Sequence, residues 1–165
     1  MADLRASEEK LSGIFRATPI GIGIVVNRII QDLNAPFAAM VGYQREELIG
    51  QSSRMLYPDE EEFAAVGREK YRQMSGTGVG SVETHFRRKD SNIIDVLLRS
   101  TYLDAVNPSQ GAIFTALDIT ERKRAEKTLR DNETFIKTVL DSLPVGVAVN
   151  PANPPVTFSY MNDRF

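Results

Sequence analysis

The chain has 165 residues, 42% of them hydrophobic and 25% charged, with a net charge of −2, values ordinary for a globular protein. That balance gives no basic surface for a nucleic-acid partner, and the absence of cysteine excludes disulfides, thiolate nucleophiles and cysteine-bound metals or clusters. No apolar run approaches the roughly 18–20 residues that cross a bilayer, and the N-terminus lacks a signal-peptide layout. The chain therefore reads as cytoplasmic and free of membrane contact, any span of a parent protein lying outside its limits.

Residues 4–18 predict an amphipathic helix with Leu4, Leu11, Ile14 and Phe15 on one side, ended by Pro19. The β-branched run Ile20–Val26 predicts a strand, Asn27-Arg28 a two-residue turn, and Ile29–Leu33 the returning strand. From Asn34 to Met74 the pattern is helical but interrupted by Gly42, Gly50 and Pro58, with the longest helix over Asp59–Ser75. Three strands follow: Val79–Lys89, then Ile93–Leu103 after a turn at Asp90-Ser91-Asn92, then Gly111–Ile119. Gly76, Gly78 and Gly80 read as a flexible connection ahead of them.

This order predicts an α+β fold: a five-stranded antiparallel sheet with short helices on one face, flanked by N-terminal and C-terminal amphipathic helices. Ile94, Val96, Leu98 and Ser100 are expected to face the core, with Leu97 and Phe114 leaving apolar area on the outer face for a helix or partner subunit to cover.

Between Thr120 and Leu143 there is no Gly or Pro, and Ala125, Leu129, Asn132, Ile136, Val139 and Leu143 form a heptad seam on a rod of roughly 35 Å. Asp118 or Thr120 is placed to cap its start. The seam predicts a two-stranded homodimer; a monomeric helix packing on its own domain is the alternative. Leu11, Ile14, Leu129, Ile136 and Val139 are the candidate contacts.

The opening of the chain then recurs. At an offset of 125, Pro19-Ile-Gly-Ile22 falls on Pro144-Val-Gly-Val147, and Leu11, Ile14 and Phe15 fall on Ile136, Val139 and Leu140. After an insertion around Asn150–Pro155, Asn34 and Phe37 meet Asn162 and Phe165. So long a period marks tandem domains rather than a solenoid. The expected organisation is a helix over 1–18, a domain over 19–119, a connecting helix over 120–143, and over 144–165 the truncated start of a second domain, with a strand at Val145–Val149 and another around Val156–Tyr160.

Catalytic chemistry finds no support. His85 is the sole histidine, which excludes a multi-histidine metal site, and it reads as a surface or edge residue. No phosphate-binding glycine loop or nucleophile elbow occurs. The acidic run Asp59–Glu62 suits the positive end of a helix.

The strings Thr18-Pro-Ile-Gly-Ile22, Asn34…Phe37, Gly42-Tyr43…Glu47-Leu-Ile-Gly50, Arg88-Lys-Asp90 and Asp118-Ile-Thr-Glu-Arg-Lys123, in this order, resemble a PAS domain. PAS domains are the sensory modules of bacterial and archaeal signalling proteins. Ser91 stands where the family usually has glycine. The resemblance implies a module that senses a small molecule, or relays a signal, through a dimeric helix to an output domain in the same polypeptide, here a two-component sensor histidine kinase. The alternatives are a ligand-free dimerisation or protein-interaction module and the PAS region of a cyclic-dinucleotide enzyme. It implies a ligand pocket drawn from Ile24, Met40, Met55, Tyr71, Met74, Phe86, Val96, Leu98 and Thr115, with Asp118, Ile119 and Thr120 as the signal exit. The plainer alternative is that these pocket residues simply fill a core. The cofactor stays unknown, with none as the first expectation and no metal. The cysteinyl-flavin and thioester-chromophore branches need a cysteine, and the haem branch commonly uses a histidine where this chain offers Tyr71 and Met74.

Overall fold

A computed structural model describes residues 2–149 and 160–162, excepting the side chains of residues 2–8 and 11. The chain divides into two compact units, Met1–Thr120 and Glu121–Phe165.

In the first unit, helix α1 (Ala2–Ala17) ends as the Thr18 hydroxyl donates back to the Ile14 carbonyl at 2.6 Å, just before Pro19. Strands β1 (Gly21–Val26) and β2 (Ile29–Leu33) meet at Asn27 and Arg28, both left-handed at φ 49° and 65°, as a mirror-image hairpin turn requires. Helices α2 (Ala35–Val41) and α3 (Arg45–Leu48) and a 3-10 turn at Ser53–Leu56 follow. Helix α4 (Glu60–Thr77) is capped by the Asp59 carboxylate, which accepts from the Glu62 amide at 2.8 Å, and ends at left-handed Gly78. Strands β3 (Val79–Arg87), β4 (Ile93–Tyr102) and β5 (Ala112–Asp118) complete one antiparallel sheet in the order β2-β1-β5-β4-β3. The α+β architecture is the one expected.

Alternation buries one sheet face under α2, the 3-10 turn and α4. Ile94, Val96, Leu98 and Ser100 are all buried, as expected for β4. Phe114 corrects the expectation: it points into the core with Ala112 and Ala116, while Ile113, Thr115 and Leu117 take the outer face. Phe114 lies over Gly23, where an added Cβ would come within 2.4 Å of its ring, and meets Phe37 edge-on at 5.0 Å between centroids. The expected flexible connection is also corrected. Gly76 belongs to α4, Gly78 is its cap, and Gly80 lies buried in β3 against Lys70.

Both sheet edges are closed, which removes a template for unwanted pairing. On β3 the outward amides of Ser81 and His85 donate to Gln73 and Glu62 of α4, at 2.7 and 2.8 Å. On β2 the Ile30 amide donates to the Gln51 carbonyl at 2.9 Å.

The second unit holds helix α5, which starts at Thr120 and runs to Ser142, and strand β6 (Ala148–Val149) paired antiparallel with β7 (Tyr160–Met161). The expected strand around Val156–Tyr160 falls, except for Tyr160, outside the described residues. Buried Asn162 accepts from the Val147 amide at 2.9 Å and donates to the carbonyls of Leu140 and Val145 at 2.9 and 3.0 Å. Asn34 makes the same three bonds in the first unit, to Ile22, Phe15 and Ile20, at 2.9, 3.1 and 2.9 Å. Each partner of Asn162 stands 125 positions after its counterpart.

Candidate functional site

Between the sheet and the helices lies a void bounded by Val25, Phe37, Leu56, Phe86, Leu98 and Phe114, with Arg28, Ser53, Tyr57, Lys70 and Tyr71 supplying its polar groups. The space between these walls is about 390 Å³, open solvent included, of which only about 20 Å³ admits the centre of a water molecule. The smaller figure is the room the walls leave as they stand, roughly one water, and the void is open to solvent on one side rather than sealed.

Of the expected pocket residues, Tyr71, Phe86 and Leu98 line this void. Met74 and Val96 are buried in the adjoining core, and Met40 and Met55 pack on it half-buried. Ile24 and Thr115 do not belong to it: each stands one residue out of phase with a buried neighbour and faces the opposite side of the sheet. Arg28, Tyr57 and Lys70 were missed. Lys70 was detectable, because it falls four residues after Val66 and four before Met74, on the buried side of α4. Arg28 sits in a hairpin turn, where nothing in the pattern indicates an inward side chain.

The two cations are unusual neighbours. Arg28 stacks its guanidinium 3.3 Å above the centre of the Phe63 ring and donates to the Phe63 carbonyl at 2.7 Å. Lys70 is 6% exposed. Burial pushes its ammonium down to about 8, and the charge of Arg28 adds to the push. Burial likewise pushes the Tyr57 phenol up to about 12, against the pull of Arg28.

Two joints fasten this unit to its flanking helices. At the exit, the Asp118 carboxylate accepts from the Thr120 amide at 2.9 Å, and the Thr120 hydroxyl accepts from the Asp95 amide at 2.9 Å. The Ile119 amide donates to the Asp95 carbonyl at 2.9 Å. Ile119 and Thr120 thus both meet the backbone of one β4 residue, and Asp118 holds Thr120 in place for it. At the incoming side, Asn34 bonds the end of α1 to β1 and also caps α2 through the Phe37 amide at 3.1 Å.

His85 is more engaged than a plain surface residue. Its Nδ1 lies 2.9 Å from Glu62, and its Nε2 lies 3.5 Å from Asp95. Burial opposes charge on Glu62, yet bonds from the Thr84 hydroxyl and from the amide and ring of His85 outweigh it and hold the carboxyl below its ordinary value. No group of acidic or histidine side chains among the described residues is arranged to hold a metal ion, and no described helix is long and apolar enough to cross a membrane.

Of the dimer candidates, Ile14, Leu129, Ile136 and Val139 are all exposed, together with Phe135. The side chain of Leu11 lies outside the described residues.

One antiparallel sheet, helices over one face, a small void between them and an exit residue, Thr120, bonded to β4 are the features of a sensory module. Residues 19–121 match the family described as PAS domain, and the chain belongs to that family. It is 35% identical over 117 residues to the sensor protein TdiS of Thauera aromatica, covering 71% of this chain and 21% of that protein, so it spans about a fifth of the relative's length. Among solved structures, it is similar to a PAS domain of a LuxR-family transcriptional regulator from Burkholderia thailandensis, in complex with ethanol (27% identity, TM-score 0.61, covering 66% of this chain and 96% of that one). A PAS domain from Colwellia psychrerythraea shares the fold at 22% identity, with a TM-score of 0.63 and coverage of 68% and 97%. A domain of a sensory box sensor histidine kinase/response regulator from Geobacter sulfurreducens does so at 19% and 0.57, covering 70% and 96%.

Proposed function

We propose that this PAS module senses a molecule of a few heavy atoms in the void beneath α4 and passes the change through α5 to a histidine kinase in the same polypeptide. The observation that carries the relay is the meeting of Ile119 and Thr120 on Asp95, two residues before Leu97 and three before the void-lining Leu98. A shift of β4 under a ligand moves the origin of α5 directly. The size of the void supports a small ligand over a flavin or haem, and the Burkholderia relative was solved with ethanol. The nearly filled core favours one other reading, a ligand-free relay.

Asp118→Ala tests the relay. The Thr120 amide loses its acceptor at a cost of about 0.5–2 kcal/mol. The expected result in the full-length protein is loss of stimulus-dependent autophosphorylation with the module still folded by circular dichroism. Unchanged signalling would refute the role of this joint.

We further propose that α5 pairs with α5 of a second copy through Leu129, Ile136 and Val139. Because Ile136 is 56% exposed in the single chain, Ile136→Asp costs the monomer little, whereas in a dimer seam the carboxylate has to be desolvated or expelled. Sedimentation velocity is expected to show wild-type dimer and mutant monomer; a wild-type monomer at the same concentration would end the proposal for this chain.

A further inference from the structure

The void is cationic, and its lining contains nothing to neutralise it. Lys70 from α4 and Arg28 from the β1–β2 turn both line it, and the remaining polar lining is Ser53, Tyr57 and Tyr71, with no carboxylate. Among the described residues the Lys70 ammonium has neither a hydrogen bond nor an ion pair, and its one polarised contact is the Tyr71 ring, 5.5 Å away. Arg28 is held by a carbonyl and two aromatic rings, again without an anion.

Both cations are seated by missing side chains. An added Cβ at Gly67 would stand 2.6 Å from Arg28 Nη1, and one at Gly80 would stand 2.6 Å from Lys70 Cγ and 2.5 Å from its carbonyl oxygen. The space that admits each charge exists because α4 and β3 carry glycine at the contact point.

Resting on the ligand-sensing reading above, we propose that the void, which holds about one water as it stands, widens by movement of the half-buried Tyr71 side chain and binds a small monocarboxylate, of formate or acetate size, with its charged end at Lys70 and Arg28 and its apolar end against Leu98, Phe86 and Phe114.

A buried cation without a partner is costly, and a bound anion removes that cost by pairing with it in a medium of low dielectric. The low value of about 8 for Lys70 still leaves the ammonium the major form at neutral pH, so the charge needed for pairing is present. One charged end and an apolar remainder match a lining that is polar on the α4 and turn side and hydrocarbon elsewhere. A phosphate or dicarboxylate would set further charged oxygens against the hydrocarbon wall of Leu98, Phe86 and Phe114. Carboxylate on guanidinium and ammonium is the strong, charge-assisted kind of hydrogen bond.

The test is calorimetric and NMR titration of the intact chain with sodium acetate, sodium chloride holding ionic strength constant, and a parallel titration with ethanol. Saturable acetate binding in the wild type, weakened by about tenfold or more in Lys70→Met, is expected from loss of one charge-assisted bond. Formate is expected to compete, and benzoate, too large for the void, is not. Wild-type protein that shows no saturable acetate binding, or Lys70→Met that binds acetate as the wild type does, would overturn the proposal. Should that variant fail to fold, nuclear Overhauser contacts between the acetate methyl and the Tyr71 and Phe86 rings decide instead, and bound acetate without them overturns it. Ethanol making those contacts where acetate does not would leave the sensing reading standing and remove the anion. Binding of neither probe would remove both.

Discussion

Asn34→Ala is expected to destabilise the first unit by roughly 2–5 kcal/mol, from the half-buried Ile22 amide and the buried Phe37 amide left without an acceptor, the second being the cap of α2. The side chain is 97% buried in effect, the residue being 3% exposed, and its carboxamide is saturated. Its oxygen takes the amides of Ile22 and Phe37, and its nitrogen serves the carbonyls of Phe15 and Ile20. Alanine leaves these donors with nothing in reach, and α1 loses its tie to β1. Chemical denaturation of the intact chain is the measurement. A loss below about 1 kcal/mol would mean that water or a backbone shift replaces the carboxamide, contrary to the buried geometry. Asn162→Ala removes the corresponding three bonds from the second unit, so it serves as an internal comparison and should leave the main transition where it is.

Phe37→Ala is expected to cost about 3–5 kcal/mol, the range for deleting a fully buried aromatic side chain. Phe37 has 0% exposure, meets Phe114 and Phe86 edge-on at 5.0 and 6.4 Å, and lies against Gly21, where an added Cβ would come within 2.9 Å of it. Nothing adjacent can collapse into the hole, because Gly21 has no side chain to extend and Phe114 is already wedged over Gly23. Against a total of roughly 5–15 kcal/mol for a domain, the loss places the midpoint of unfolding well below that of the wild type. Because Phe37 also walls the void, the variant is expected to bind benzene-sized apolar molecules that the wild type excludes. A small loss without such binding would show that α2 shifts to refill the space.

The exit joint and the void respond to different residues, so the consequences of altering them separate. On the proposed reading, Asp118→Ala is expected to alter transmission without touching the void, and Lys70→Met to alter occupancy without touching the Asp95 junction. A kinase assay in which Lys70→Met and Asp118→Ala produced the same defect at every ligand concentration would argue that both simply loosen the sheet.

Much of the fold was legible because it depends on short-range rules. The alternation in Ile94–Ser100 named its buried face correctly, since a strand's side chains have a period of two whatever lies beyond it. The turn at Asn27-Arg28, the stop at Pro19 and the cap at Asp59 follow from local backbone chemistry. The recurrence of the Asn34 network around Asn162 is legible in the sequence, as Pro19 and Gly21 repeated in Pro144 and Gly146 with apolar residues matched between them, and Asn34 itself repeated after a three-residue insertion.

What the chain order alone left undetermined depends on partners distant in sequence. Phe114 was placed on the wrong face because β5 was read without its neighbour, and the absent Cβ of Gly23 across the pair is what draws the ring inward. On β2 a register shift against β1 puts both Ile30 and Leu33 inside, three positions apart, which no strict alternation allows. The void's charge was hidden for the same reason. Arg28 and Lys70 are 42 positions apart in the sequence and ordinary where they stand, and only the packing of α4 over the β1–β2 turn brings them to one cavity. Local periodicity determines which way a side chain points; which side chains meet is decided by the tertiary contacts that close the core.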